Sequence, residues 1–320
     1  MDPAPVASLV DRAVRFAGAL PRRGGAVVRR LARRSSSNFK FAFFFLSPAQ
    51  REALGHVYAF CRVVDDIVDE RAPGAAGVAE AREALDRWRR EIARIYDDPA
   101  EGGTAPESEL GRSLAAARRT FDLPRFAFEE IVAGVEMDLD RSIYDTYDDL
   151  RLYCYRVASC VGFLALAIFG DQGEAARRYG EHLGLALQYT NILRDVGEDA
   201  LRGRVYLPAE HLARFGLSSA DVLRRRYDDR FVAAARAFAD RAEREYAAAW
   251  SHLPGANRRA LVAAEVMGRT YHRILDELRA HDFNVFARSA SLRRRDKLRA
   301  AASALVHLAL PAAPAPTDPP

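Results

Sequence analysis

The chain has 320 residues, 49% of them apolar and 29% charged, and a net charge of +4. That is too apolar for a disordered chain and long enough for one large core or two modest domains. The arginines crowd towards the ends, with Arg22, Arg23, Arg29, Arg30, Arg33 and Arg34 before the body and Arg293 to Arg295 after it. Such clusters suit a solvated basic face, or contact with anionic lipid, diphosphate or nucleic acid.

In chain order, residues 1–34 form a basic extension in which Asp11, Arg12 and Arg15 interrupt any signal-peptide apolar region. Its amphipathic basic character suits a surface helix or a loose membrane contact. From residue 35 to about 300, apolar residues recur at three- and four-residue spacing and β-branched alternation is scarce, which predicts an all-α body. Gly, Pro and capping residues place breaks at 71–77, 97–107, 121–125, 170–174, 201–208, 215–221 and 253–257. None is long enough to separate two domains. Residues 301–320 end in "PAAPAPTDPP", where proline removes backbone donors, so the end of this tail is expected to be disordered.

Cys61, Cys154 and Cys160 are odd in number and lack C-x-x-C spacing, which predicts buried, reduced thiols in a cytoplasmic protein. The basic N-terminus leaves open a peripheral contact with the inner face of a membrane. "VASCVGFLALAIFG" (157–170) is shorter than the roughly 20 residues of a membrane span and reads as a core helix.

Two segments carry acids at helical spacing. In "YAFCRVVDDIVDE", Tyr58, Arg62, Asp65 and Asp69 stand at i, i+4, i+7 and i+11. In "LALQYTNILRDVGEDA", Gln188, Asn191, Asp195 and Asp199 stand at i, i+3, i+7 and i+11, with Arg194 beside them. Each set lies on one helix face. Oxygen donors without Cys or His favour a hard cation that keeps room for phosphate oxygens, Mg²⁺ with Mn²⁺ as a substitute, over a Ca²⁺ cage. Arg62 and Arg194 then suit phosphate recognition. Asp66 and Glu70 fall off the stripe, as supporting or surface residues. A di-iron bundle would need Glu-x-x-His, and none of the seven histidines has a glutamate three residues before it.

An apolar, aromatic wall accompanies the acids. "SSSNFKFAFFFL" (35–46) carries Phe39, Phe41, Phe43, Phe44 and Phe45, and "LYCYRVASCVGFLALAIF" (152–169) sets Tyr153 and Tyr155 before the small residues Ala158 and Gly162; Tyr271 adds another ring. Aromatic faces stabilise a carbocation in a water-excluded cavity, and diphosphate leaving an allylic carbon generates one.

With "GVEMDL" and "NILRDVGEDALRGRVYLP" in the same order, residues 35–300 resemble the squalene/phytoene synthase family, the head-to-head prenyl synthases. The resemblance implies a single all-α domain of the isoprenoid synthase type around a central cavity. It implies Asp65 and Asp69 as one metal-binding pair and Asn191, Asp195 and Asp199 as the other. Tyr58, Arg62, Gln188, Arg194 and Tyr271 become diphosphate or substrate contacts, and Ser35, Ser36, Ser37 and Asn38 a flap over a diphosphate, with Asn38 where serine is common in the family. Tyr153 is the candidate for assisting proton transfer or the cation, alongside the departing diphosphate as base.

The implied reaction joins two identical prenyl diphosphates. Phe43, one turn after Phe39, would favour two C15 chains if it projects into the prenyl tunnel, whereas the second acidic motif looks at least as much like phytoene synthases, which join two C20 chains. NADPH stays open: no G-x-G-x-x-G follows a strand, yet the family binds NADPH, where it does, without that fingerprint. Two other readings remain, a class I terpene cyclase or head-to-tail elongase, and a non-catalytic membrane-surface protein retaining the fold. Nucleic-acid binding is disfavoured because the stripes are acidic. Oligomeric state is not readable from the sequence.

Overall fold

A computed structural model describes residues 46–97, 102–253 and 260–287. Its elements are α1 (Pro48–Asp69), α2 (Ala75–Tyr96), α3 (Glu109–Phe121), α4 (Arg125–Asp140), α5 (Tyr147–Cys154), a π-helical turn (Tyr155–Ser159), α6 (Cys160–Phe169), α7 (Glu174–Leu201), the short α8 (Ala209–Ala213) and α9 (Ser219–Leu223), α10 (Asp229–Ser251) and α11 (Val262–Ala280). No strand occurs among the described residues, only an isolated parallel bridge between Ile143 and Val205. The expected breaks from 71–77 to 215–221 separate these helices, and two further breaks, 141–146 and 224–228, divide α4 from α5 and α9 from α10; most of the break expected at 253–257 lies outside the described residues.

Local chemistry sets the start of α1. Ser47 caps it reciprocally with Gln50, whose backbone N–H donates to Ser47 Oγ and whose Oε1 accepts from Ser47 N–H, and Pro48 opens the helix. Gln50 also donates to the Ile168 carbonyl, tying α1 to the end of α6. Val57, Phe60, Val64 and Val68 are buried on one side of α1, leaving the Tyr58–Asp69 stripe on another. Phe60 meets Trp88 and Phe128 edge-on at 5.3 and 5.1 Å, joining α1 to α2 and α4.

α7 is the central helix, about 42 Å long at 1.5 Å per residue. It packs against α10, α6, the π turn and α11. Tyr189 packs edge-on to Phe238, and Thr190 Oγ1 lies 3.0 Å from the Tyr246 hydroxyl. Glycines permit close approach: a Cβ at Gly184 would fall 2.6 Å from Ser159 Cα, and one at Gly180 would fall 2.6 Å from Leu166 Cδ1.

Through the π turn, 147–169 runs as one helix long and apolar enough by composition to cross a membrane, longer than the uncharged stretch 157–170 suggests. Cys154, Cys160, Leu164, Leu166 and Ile168 are buried against the protein's own helices, which accounts for this apolarity as core. All three cysteines are free; Cys154 and Cys160 are buried, whereas Cys61 is intermediate because it neighbours Arg62 beside the polar stripe. The basic extension 1–34 and the tail 301–320 lie outside the described residues.

Candidate active site

The two acidic stripes line one cleft. Asp65 and Asp69 from α1, Gln188, Asn191, Ile192, Asp195 and Asp199 from α7, and Tyr153 from α5 share it with Asp138, Arg202, Arg204 and Tyr206. The open space is about 460 Å³. Of the other four substrate contacts expected from sequence, three gather at its side through their partners: Arg62 pairs with Asp65 at 2.9 Å and Asp66 at 2.5 Å, Arg194 is bidentate on Asp195 at 2.7 and 2.5 Å, and Tyr271 hydrogen-bonds Arg194. Tyr58 lies within electrostatic reach of Arg62 and Tyr271. The two arginines expected to face phosphate thus engage neighbouring carboxylates, and Asp66 is drawn into an ion pair, while Glu70 is exposed at the end of α1.

Four cleft residues carry no role from the sequence reading. Arg202 and Arg204 reach across from beyond α7 to hold Asp69 at 3.1 and 2.6 Å. The turn between them needs Gly203 at φ +76°, a conformation that costs a side chain but not glycine. Val205 N–H donates to the Ser142 carbonyl and Ala209 N–H to that of Tyr144, fastening this segment to the 141–146 break. Tyr206 and Tyr153 both donate to Asp138 Oδ2, at 2.9 and 3.0 Å, and Tyr144 donates to Oδ1 at 3.4 Å. "GVEMDL" and "LRGRVYLP" held these residues, but Asp138 has no partner at helical spacing on its own face: Glu136 and Asp140 point to the other side of α4, where Arg82 pairs with both and Arg89 with Glu136.

Burial, and secondarily repulsion from Asp69, pushes Asp65 up to about 6; burial and Asp195 push Asp199 up to about 7. Asp65 is 45% exposed by side-chain area, so this is the desolvation of a concave wall, not of a sealed interior. Burial likewise raises Asp138 to about 6 against the opposing pull of Arg204. Asn191 Oδ1 is buried without a hydrogen-bond partner. These features fit a divalent cation: hard oxygen donors, carboxylates unfavourably charged on their own and an orphaned amide oxygen. Among the described residues no three His, Cys, Asp or Glu side chains converge as a ready-made cage. A cation here would complete its shell with oxygens of a ligand, as Mg²⁺ does with phosphates.

Adjoining the cleft is an apolar pocket of about 690 Å³, lined by α1, α6, α7 and α11. Leu187 lines the pocket and Gln188 the cleft, so consecutive residues of α7 divide the two. Ala158 and Gly162 line it as part of the expected wall, but Leu54, Leu166, Leu183 and Met267 make its described surface more aliphatic than aromatic. Tyr155 instead packs edge-on to Phe163. At one wall the Tyr179 hydroxyl donates to buried Glu265 at 2.9 Å, with Arg269 3.4 Å from the same carboxylate. Ser35, Ser36, Ser37, Asn38, Phe39 and Phe43 lie outside the described residues.

The family model described as squalene/phytoene synthase matches residues 32–296. The presqualene diphosphate synthase of Rhodopseudomonas palustris is 41% identical over 249 residues, 77% of this chain and 85% of that protein. The 15-cis-phytoene synthase of Synechocystis sp. is 34% identical over 284 residues, 85% of this chain and 81% of that one. Among solved structures, a dehydrosqualene synthase in complex with ligand aligns with TM-score 0.76 and 25% identity over 94% of this chain and 99% of its own. The squalene synthase HpnC of Alicyclobacillus acidocaldarius aligns with TM-score 0.70 and 30% identity over 81% and 94%. With an all-α fold, a divided oxygen-donor cleft and an adjoining apolar pocket, the chain belongs to the squalene/phytoene synthase family, prenyltransferases that condense prenyl diphosphates head to head.

Proposed function

We propose that this enzyme condenses two identical prenyl diphosphates in the presence of Mg²⁺, releasing one diphosphate to form a cyclopropylcarbinyl diphosphate. The observation that carries this reading is the split at Leu187 and Gln188, which sets an oxygen-donor cleft directly against an apolar pocket. That amphipathic division matches a prenyl diphosphate, with a polar head and a hydrocarbon tail.

Asp65 and Asp69 would hold the cation on one wall, and Asn191, Asp195 and Asp199 on the other. Bound there, Mg²⁺ supplies Lewis-acid stabilisation of the charge on the departing diphosphate. Arg62, Arg194, Arg202 and Arg204 would exchange carboxylate for phosphate oxygens, since guanidinium binds either in a fork. Gln188, Tyr58 and Tyr271 orient the head groups. The pocket excludes water from the allylic cation and holds the tail, which supplies the entropic part of catalysis. Flap and tunnel roles for Ser35 to Asn38, Phe39 and Phe43 belong to the same reading, as does a peripheral membrane contact of the basic N-terminus in a cytoplasmic enzyme.

Purified protein with Mg²⁺ and either farnesyl or geranylgeranyl diphosphate tests it, each with and without NADPH. A cyclopropyl or fully apolar dimeric product supports the reading and gives the chain length. Consumption of isopentenyl diphosphate, or cyclisation of a single chain, would replace it.

A further inference from the structure

Asp138 stands apart from the other cleft acids. Asp65, Asp69 and Asp195 each bind arginine, whereas among the described residues Asp138 forms no ion pair and is held by phenols, two of them on a single oxygen. The Tyr153 and Tyr206 rings stack at 5.2 Å, and Tyr144 stacks on Tyr206 at 5.6 Å, so the phenols are fixed by one another. Tyr153 is buried apart from the part that lines the cleft. Its hydroxyl donates to Asp138 at 3.0 Å and lies 3.5 Å from the Tyr206 hydroxyl, which itself donates to Asp138, so the Tyr153 oxygen keeps accepting capacity for an occupant of the cleft that its ring lines.

We propose that Asp138 acts through Tyr153 as the positioning residue for proton loss in the condensation, receiving the phenol's own proton as Tyr153 accepts one from the joined prenyl chains. The inference rests on the head-to-head reading. The first bond joins C1 of the ionised chain to C2 of its partner and leaves a cation at the partner's C3. The C–H bond at C1 then breaks and its electron pair closes the C1–C3 bond of the cyclopropane. The proton passes to Tyr153 Oη while the phenol hydrogen passes to Asp138 Oδ2. No phenolate forms, as fits a buried phenol whose ionisation is strongly opposed by desolvation and by the neighbouring carboxylate.

The surroundings suit an acceptor that is charged before the step and neutral after it. Arg204 favours its ionised form, while burial and Asp69 favour the neutral one. Asp65 and Asp199 also lie within electrostatic reach, and Tyr144, Tyr153, Cys154 and Tyr206 face it as neutral groups. A carboxyl raised to about 6 holds a proton better than an ordinary one yet is mostly ionised at neutral pH.

The test counts diphosphate released against cyclopropyl product formed, in single turnovers with the prenyl diphosphate that the wild type accepts. Wild type gives one release per cyclopropyl product, or two where that product is carried on to the apolar dimer; a wild type that makes neither product overturns the functional reading itself. In Asp138→Asn, diphosphate release continues while cyclopropyl product per release falls by about 10²-fold, the chains appearing as water-captured alcohols. Asp138→Glu restores coupling, and calorimetry finds unchanged affinity for Mg²⁺ with inorganic diphosphate in both variants. In D₂O the wild type shifts towards alcohol, a readout that needs no variant to fold. Wild-type coupling in a folded Asp138→Asn, or no shift in D₂O, assigns the proton to the departing diphosphate and overturns the proposal. Release and product falling together with weakened inorganic diphosphate binding overturns it too, placing Asp138 in the ionisation step.

Discussion

The cleft and the pocket meet at one peptide bond of α7 but are stabilised in opposite ways. In the cleft nearly every charge has a partner that could be exchanged: Arg62 with Asp65 and Asp66, Arg194 with Asp195, Arg202 and Arg204 with Asp69. The exposed Arg62–Asp65 pair contributes about 0–1 kcal/mol, and the half-buried Arg194–Asp195 and Arg204–Asp69 pairs offer a guanidinium that can take phosphate in place of carboxylate. In the pocket the determinants are backbone contacts, Gly184 against Ser159 and Gly162 near the Gly180 carbonyl, which do not rearrange without moving helices. Binding that must reverse uses replaceable ion pairs; a cavity that must stay dry uses fixed backbone.

The largest break in this comparison comes from removing cleft oxygens. Asp195→Ala and Asp65→Ala are each expected to lower kcat by about 10²–10³-fold with the fold intact by circular dichroism. On the pocket side, Gly184→Ala drives a Cβ into Ser159 and is expected to cost about 1–3 kcal/mol in urea unfolding. Activity should fall there only as far as the folded fraction does.

The raised carboxyls sharpen the contrast through pH. Asp65 and Asp199 titrate near 6 and 7 when folded, against about 3.9 when unfolded. Between these values the folded state binds more protons, so their contribution is fully present below pH 4 and is lost as pH rises through 6 to 7. His56 and His211 have lowered values and act oppositely, gaining stability as pH rises through 6.5. The difference isolates the acids: Asp65→Asn and Asp199→Asn should raise the Tm of the metal-free protein more at pH 8 than at pH 5.5. Added Mg²⁺ with inorganic diphosphate should raise the wild-type Tm chiefly at pH 8. The smallest effect is expected for Arg202→Ala, whose side chain is 59% exposed: a rise in KM of a few fold, with stability changed by about 0–1 kcal/mol in urea unfolding.

The acidic stripes were legible because i, i+4, i+7 and i+11 spacing survives folding unchanged, and α1 and α7 display it on the faces that meet. Arg202 and Arg204 were not, because "LRGRVYLP" read as a break and as part of a family motif without giving its arginines a role, and their partner Asp69 is 133 and 135 residues away in sequence. Asp138 was hidden among acids with a different duty on the far side of α4. The direction in which Arg62 and Arg194 point was also illegible, since nothing in a spacing says whether a guanidinium turns to its neighbour's carboxylate or to open space.

The π turn left no trace in periodicity either, because it sits in a helix apolar on several sides. Yet Tyr155–Ser159 separates Tyr153, which faces the phenol and acid cluster, from Val161 and Gly162, which face the hydrocarbon pocket. An uninterrupted α-helix would advance each residue by a fixed 100°, and the wider turn resets that angle once. The helix therefore works as two rotors set on a single shaft, and the setting between them amounts to roughly one inserted residue.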